Sequence, residues 1–338
     1  MSLGERPVRV LVADDSELFR ELLSGVVAGD AFELVAVARD GAEAARLARK
    51  HRPDVITMDL NMPEADGFAG IAQIMAETPT PILVLTGSPT EAVGFKALSL
   101  GALDILGKPR PEADLGEYGR VLRSRLRLLA GVKVIRHPRG LRERVAPAPR
   151  GAEPPELVVM GASLGGPRAL AAILRGLPAS FPLPLAVVQH IADGFTEGLA
   201  AWLDQETDLS VAEAVDGAAL RPGQVLLAPS GRHLVLTRGQ VHLSDAPPLE
   251  TFKPSVTPLF SSAARHYGRR ACGVLLTGMG RDGADGLKAI HDAGGTTLVQ
   301  DQATSAVFGM PAAAIELRAA DRVLPLDEIP RVLKELVR

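Results

Sequence analysis

The sequence predicts two α/β domains, each a doubly wound, mainly parallel sheet. Three observations carry that expectation. Short apolar runs of β-forming residues alternate with helical patterns from residue 6 to about 125. A second alternating series starts near residue 153 and runs to the end. Between them lies a basic, proline-rich stretch, and a length of 338 residues suits two domains better than one.

In the first series, Val8 to Ala13 is a continuous apolar strand that ends in Asp14 and Asp15. Ser16 then opens a helical pattern through Leu18, Phe19, Leu22, Leu23 and Val26. Leu34 to Ala38 reads as a strand and Ala42 to Arg49 as a helix. Val55 to Met58 ends in Asp59, Ile82 to Leu85 ends in Thr86, and Asp104 to Leu106 leads to Lys108. Strands alternating with helices in this way predict a parallel sheet with helices on both faces. Each polar residue just named stands at the carboxyl end of its strand, the edge where open α/β sheets bind ligands. Asp14, Asp15 and Asp59 would crowd like charges there, which is unfavourable unless a hard cation with oxygen ligands sits among them. Mg²⁺ is the expected cofactor. Thr86 and Lys108 would supply a hydroxyl and a cation to the oxygens of a group bound at Asp59. Solvated loop acids and a surface lysine would explain any one of these residues, but not five at strand ends.

The connector, residues 126–152, is rich in arginine and, from about Pro138, in proline. It reads as the end of a solvated helix running into a semi-rigid linker. A basic arm for nucleic acid is the competing reading; no DNA-reading helix pair follows it.

The second domain, residues 153–338, is organised around Leu157 to Leu170. An apolar strand stops at Gly161, a Gly-x-Ser-x-Gly turn presents Ser163, and a helix starts near Pro167. A strand-to-helix corner holds the serine hydroxyl out on a sharp turn beside the first N–H groups of the helix, where a nucleophile would be placed. In a chain with 34 glycines, chance or a phosphate-cradling turn could also produce the match. Leu183 to Gln189 is a strand whose end carries His190, and Gln224 to Ala228 and His233 to Thr237 read as short strands. Ala271 to Thr277 is a buried strand running into a loop that contains Met279 and Asp282; Gly286 to Ala293 reads as a helix and Thr296 to Gln300 as a further strand. The sheet is expected to be mixed.

Ser163, His190 and Asp282 each follow a separate strand, and in a parallel sheet such ends converge on one edge. A neutral imidazole there can take the serine proton, and a carboxylate behind it fixes the tautomer and stabilises the imidazolium. His51 and His137 lie outside this domain; His233 and His242 fall near or within short strands, and His266 and His291 on helices. The order Ser, His, Asp departs from the Ser, Asp, His order of α/β hydrolases. Backbone N–H groups at Leu164 and Met279 are the expected oxyanion donors.

Composition narrows the classes. A hydrophobic content of 46% against 23% charged residues predicts a soluble globular protein, and 4% aromatic residues leave little for base stacking. A net charge of −3 predicts no nucleic-acid partner. The single cysteine, Cys272, rules out an intrachain disulfide framework and points to a reducing cytoplasm. No apolar run is long enough to span a bilayer, so membrane association is expected only through a partner.

Two resemblances add to this reading. Asp14-Asp15-Ser16, Met58-Asp59-Leu60-Asn61-Met62-Pro63 with Asp66-Gly67, Thr86 and Lys108-Pro109 make residues 6–125 similar to the two-component receiver domain. That resemblance implies that Asp59 accepts a phosphoryl group from a histidine kinase, with Asp14, Asp15, Asp59 and the carbonyl of Asn61 holding Mg²⁺. Ile105 stands where receivers often carry an aromatic switch residue. The segments 161–167, Gln189-His190, 253–256, 276–284 and 308–311 resemble the chemotaxis protein-glutamate methylesterase family, in which a receiver precedes this domain. The resemblance implies Ser163 as nucleophile, His190 as base and Asp282 as supporting acid. Leu164 replaces the threonine often found there. Implied substrates are glutamate methyl esters, and glutamines, on the cytoplasmic domains of chemoreceptors. It also implies that phosphorylation moves the receiver away from the Ser163 edge. A non-enzymatic response regulator, a transcriptional regulator and an enzyme of another sensory pathway are the alternatives.

Overall fold

A computed structural model describes residues 6–29, 31–62, 67–87, 92–109, 113–132, 154–248 and 252–337. Most of the expected linker, and Pro63 and Asp66 of the receiver motif, lie outside the described residues. The chain divides into two compact units near residue 140.

The first unit contains β1 (Val8–Ala13), α1 (Glu17–Val26), β2 (Phe32–Ala38), α2 (Gly41–His51), β3 (Val55–Asp59), α3 (Gly67–Glu77), β4 (Ile82–Thr86), α4 (Ala92–Leu100), β5 (Asp104–Gly107) and α5 (Leu115–Ala130). All pairings are parallel, in the order β2-β1-β3-β4-β5. β3 and β4 are buried along their whole length, as strands covered on both faces must be. Helices start where a side chain takes an orphan N–H: Ser16 accepts from Phe19, Asp40 from Glu43, and Asp114 from Gly116 and Glu117. α5 continues to Ala130, so the first residues of the connector, 126–130, are the end of this helix. Leu122, Leu126 and Leu129 recur at helical spacing on its buried face and carry it past position 125.

The second unit contains β6 (Leu157–Ala162), α6 (Gly166–Arg175), β7 (Leu185–Gln189), α7 (Thr196–Glu206), β8 (Ser210–Glu213), β9 (Gln224–Leu227), β10 (His233–Thr237), β11 (Gln240–Ser244), α8 (Val256–Tyr267), β12 (Ala271–Leu275), α9 (Ala284–Asp292), β13 (Thr296–Gln300), α10 (Met310–Glu316), β14 (Arg322–Leu324) and α11 (Ile329–Leu336). The main sheet runs β14-β13-β12-β6-β7-β9-β8 and is parallel throughout. The expectation of a mixed sheet is therefore corrected. Antiparallel pairing is confined to the separate β10–β11 hairpin, whose two strands close over a tight turn and need no crossover.

The chain builds outward from β6 through β7 on one side, then returns to lay β12 on the other. That reversal puts the carboxyl ends of β6 and β12 at a topological switch point, where such sheets open a crevice. Beneath it, Val256, Leu259, Phe260 and Ala263 of α8 pack with Leu157, Val159, Leu275 and Leu287 in one buried cluster. Truncating a fully buried phenylalanine such as Phe260 to alanine would cost about 3–5 kcal/mol.

Candidate active site and phosphoacceptor site

In the first unit the loop after β1 and the end of β3 meet at the other switch point. Asp14 and Asp59 are buried and Asp15 is exposed, and one oxygen from each of the three lies within 4.8 Å of the others. Lys108 Nζ bridges Asp14 Oδ2 and Asp59 Oδ2, 2.7 Å from each, and rides 4.6 Å above the Phe19 ring. Asp59 Oδ1 accepts from Leu60 N at 2.7 Å and Asn61 N at 3.3 Å. Thr86, buried at the end of β4, accepts Lys108 N–H through its carbonyl at 2.7 Å. Burial drives the Asp14 carboxyl above its ordinary range, against the pull of Lys108 and with a further push from Asp59. Burial would lower Lys108, but its bonds and charge pairing with Asp14 and Asp59 leave it raised. Three carboxylates against one ammonium form an oxygen-rich donor set with excess negative charge, which suits a hard divalent cation.

In the second unit β12, β6 and β7 are neighbours, and the residues that follow them form one rim. Ser163 follows β6, its N–H bonded to Thr277 O at 2.9 Å. A Cβ at Gly278 would come within 2.7 Å of Ser163 Cβ and 2.2 Å of Met310 Sδ, so only glycine lets the loop after β12 approach the serine this closely. His190 follows β7, and its N–H bonds Ala162 O at 2.9 Å.

His190 and Asp282 are joined directly, Nε2 to Oδ2 at 2.8 Å, both side chains almost fully buried. His190 Nδ1 is also buried and has no hydrogen-bond partner. With the Nε2 proton directed at a carboxylate, Nδ1 carries the lone pair. Ser163 Oγ makes no hydrogen bond among the described residues, so serine and histidine share the rim without a bond between them.

Asp282 is held by residues that strand-end reasoning does not find. Its carboxylate accepts from Val256 N and Ser255 Oγ at 2.7 Å, from Thr257 Oγ1 at 2.7 Å and from Thr257 N at 3.1 Å. Ser255 occupies the cap position of α8 without capping it, and Asp282 takes the first helical N–H groups instead. Burial alone would raise this carboxyl; hydrogen bonding and charge from His190, with the Ser255 and Val256 bonds, outweigh it and hold Asp282 far below the usual carboxylate range. The 253–256 segment stood out in the sequence, but only folding shows that it addresses Asp282. Phe252 gave no signal: its ring stacks on His190, centroids 4.1 Å apart and planes 6° from parallel.

The two expected oxyanion donors flank the serine. Leu164 is buried and Met279 is half exposed, and neither backbone N–H finds an acceptor among the described residues. A rim with a hydroxyl, an imidazole with one free nitrogen, a buried carboxylate and two open N–H groups has the components of acyl transfer.

A five-stranded parallel unit with acids at its switch point, followed by a second α/β unit, is the build of a response regulator with an α/β output domain. Residues 10–118 match the response regulator receiver domain and residues 158–333 match the family described as CheB methylesterase. The chain belongs to the CheB methylesterase family. It is 73% identical over 336 residues to protein-glutamate methylesterase/protein-glutamine glutaminase 2 of Anaeromyxobacter dehalogenans, covering 99% of this chain and 98% of the relative. It is 44% identical to the corresponding enzyme 4 of Myxococcus xanthus, covering 98% of each. The crystal structure of the CheB methylesterase catalytic domain of Thermotoga maritima is similar at 42% identity and a TM-score of 0.53, covering 54% of this chain and 99% of that one.

Proposed function

We propose that this protein is a phosphorylation-activated serine hydrolase that demethylates glutamate methyl esters on chemoreceptor cytoplasmic domains, releasing methanol, and that it also deamidates receptor glutamines. The observation that carries the reading is His190 poised between two roles, Nε2 bonded to Asp282 and Nδ1 buried and free.

In the proposed reaction Ser163 Oγ attacks the ester carbonyl and its proton passes to His190 Nδ1. The tetrahedral oxyanion takes hydrogen bonds from Leu164 N–H and Met279 N–H. The imidazolium, stabilised by Asp282, returns the proton to the methoxide oxygen and methanol leaves. Water, deprotonated by His190, then attacks the acyl-serine and releases the glutamate and the serine hydroxyl. A glutamine amide follows the same course with ammonia as the leaving group.

In the receiver, Asp59 is the proposed phosphoacceptor and a histidine kinase the phosphodonor. Asp14, Asp15, Asp59 and the Asn61 carbonyl would hold Mg²⁺, which neutralises charge on the transferring phosphoryl oxygens when bound. Lys108 and Thr86 would meet those oxygens from the neighbouring strands. Among the described residues no helix is long and apolar enough to cross a membrane, in keeping with a cytoplasmic enzyme that reaches membranes through its receptors.

Methanol release from methylated receptor membranes, with and without a small-molecule phosphodonor, tests the proposal. Stimulated release that Ser163→Ala abolishes is the expected result. A Ser163→Ala protein that releases methanol at the parental rate refutes it.

A further inference from the structure

Two peptide units at the Ser163 rim share a construction. The Ser163 carbonyl accepts from Gln189 Nε2 at 2.7 Å and from Gly166 N at 2.8 Å. The Gly278 carbonyl accepts from Gly309 N and Met310 N, both at 2.9 Å. A carbonyl oxygen offers two lone pairs, so both oxygens are fully engaged. In a planar trans peptide the following N–H points opposite to the carbonyl. Pinning these two oxygens therefore fixes the directions of Leu164 N–H and Met279 N–H, the two donors left open.

The clamps differ in one respect. Gly278 is held by backbone alone, whereas Ser163 depends on a side chain. Gln189 ends β7 and is 4% exposed, and its Nε2 also donates to the His190 carbonyl at 2.8 Å. Its Oε1 is buried with no hydrogen-bond partner. Leucine or methionine would fill that volume without leaving an acceptor unpaired, so the position makes use of the donor end of the amide. Gly166 makes room for it: a Cβ there would stand 1.9 Å from Gln189 Oε1.

We propose that Gln189 is a positioning residue for the hydrolysis: its carboxamide locks the Ser163–Leu164 peptide so that Leu164 N–H faces the developing oxyanion. The proposal rests on the reading of Ser163 as nucleophile. Gln189 touches no substrate and acts only through the peptide it holds. An aimed donor matters more to the transition state than to the bound ester, so the effect belongs in kcat rather than KM.

The test compares the full-length parent with Q189L, Q189E and S163A for methanol release, phosphonylation of Ser163 by a fluorophosphonate, and thermal midpoint, from about pH 5 to about pH 8. Complete loss of an oxyanion donor costs roughly 100- to 1,000-fold, so a misaimed one in Q189L should lower kcat about 10- to 100-fold with KM changed less than about twofold. Q189E should show the same loss at neutral pH, because a carboxylate cannot donate to the two carbonyls. Its activity relative to the parent at the same pH should recover as the introduced carboxyl protonates and regains a donor, while the Q189L deficit stays constant. A merely structural role would make the kcat deficit follow a fall in the thermal midpoint and in the fraction of folded protein at each pH, and that result overturns the proposal, as does a parental kcat in either. Should Q189L fail to fold, the isosteric Q189E carries the test by its pH recovery alone. An inactive S163A beside a fully active Q189E rejects Gln189 only; an S163A with parental turnover rejects the underlying reading.

Discussion

His190 and Asp282 stand 92 positions apart in the chain and 2.8 Å apart in space, on loops that follow the two strands flanking β6. The pairing fixes which imidazole nitrogen is engaged and leaves Nδ1 without a partner. It also makes the carboxylate a structural group as much as a chemical one, since the same oxygens receive the start of α8.

Ser163→Ala removes the proposed nucleophile while leaving the backbone bonds of the corner in place. Turnover should fall by about a million-fold, the scale set by loss of a catalytic serine. Steady-state methanol release and loss of fluorophosphonate labelling measure it, and labelling that persists in the variant would count against the assignment.

Asp282→Asn keeps the shape but permits the wrong tautomer at His190. A loss of about 10,000-fold in kcat is expected, with modest change in KM. The substitution should also destabilise the domain at neutral pH, since five hydrogen bonds reach this carboxylate. The folded-state value is depressed from the ordinary 3.8, so the carboxylate's stabilisation is present above about pH 4 and lost as pH falls through the depressed value. Thermal midpoints of parent and variant should therefore differ at pH 7 and converge only in strong acid; convergence already at pH 5 would contradict the depressed value.

Asp59→Asn should leave basal hydrolysis intact and remove stimulation by a phosphodonor. The basal and stimulated rates of methanol release, measured on one preparation, decide it. Stimulation equal to the parent's would reject Asp59 as the phosphoacceptor.

Chelation separates the two chemistries. With EDTA, incorporation of the phosphoryl group should cease, because Asp14, Asp15 and Asp59 form the donor cluster that would hold the cation, while basal methanol release should continue, because Ser163, His190 and Asp282 supply the nucleophile, base and acid of the proposed hydrolysis. Basal release that stops on chelation and returns with Mg²⁺ would place the cation in the hydrolysis itself.

Phe252→Ala strips one face of the His190 ring. Loss of stacking frees the imidazole to tilt, and kcat should fall by about 10-fold, the equivalent of about 1.4 kcal/mol of transition-state stabilisation. Unaltered kcat and pH profile would show the stacking to be incidental.

Strand ends were legible because period and polarity change there together: Ala13 to Asp14, Thr86 after a buried run, Val188 to Gln189 and His190. The corner at Ser163 was legible for the same reason, and the rim followed from parallel topology. The support of Asp282 was not. It depends on α8 arriving end-on from 26 residues away, and Ser255 looks like an ordinary helix cap until the helix is seen to be capped by another segment. Likewise, β10 reads as a sheet strand by composition, and only its short turn to β11 shows that it pairs outside the main sheet. Phe252 precedes α8 in an irregular segment, where no periodicity marks an aromatic residue as functional.

The central place of β6 between β7 and β12 also bears on the order in which the proposed catalytic groups come together. Serine and histidine leave the ribosome well before Asp282, and the sheet cannot complete its core until β12 inserts beside β6 over a long sequence separation, a slow kind of pairing. On the proposed roles, a growing or truncated chain would display an unaided hydroxyl and an untethered imidazole, and esterase chemistry should switch on only with docking of the segment that begins at β12, residues 271–338.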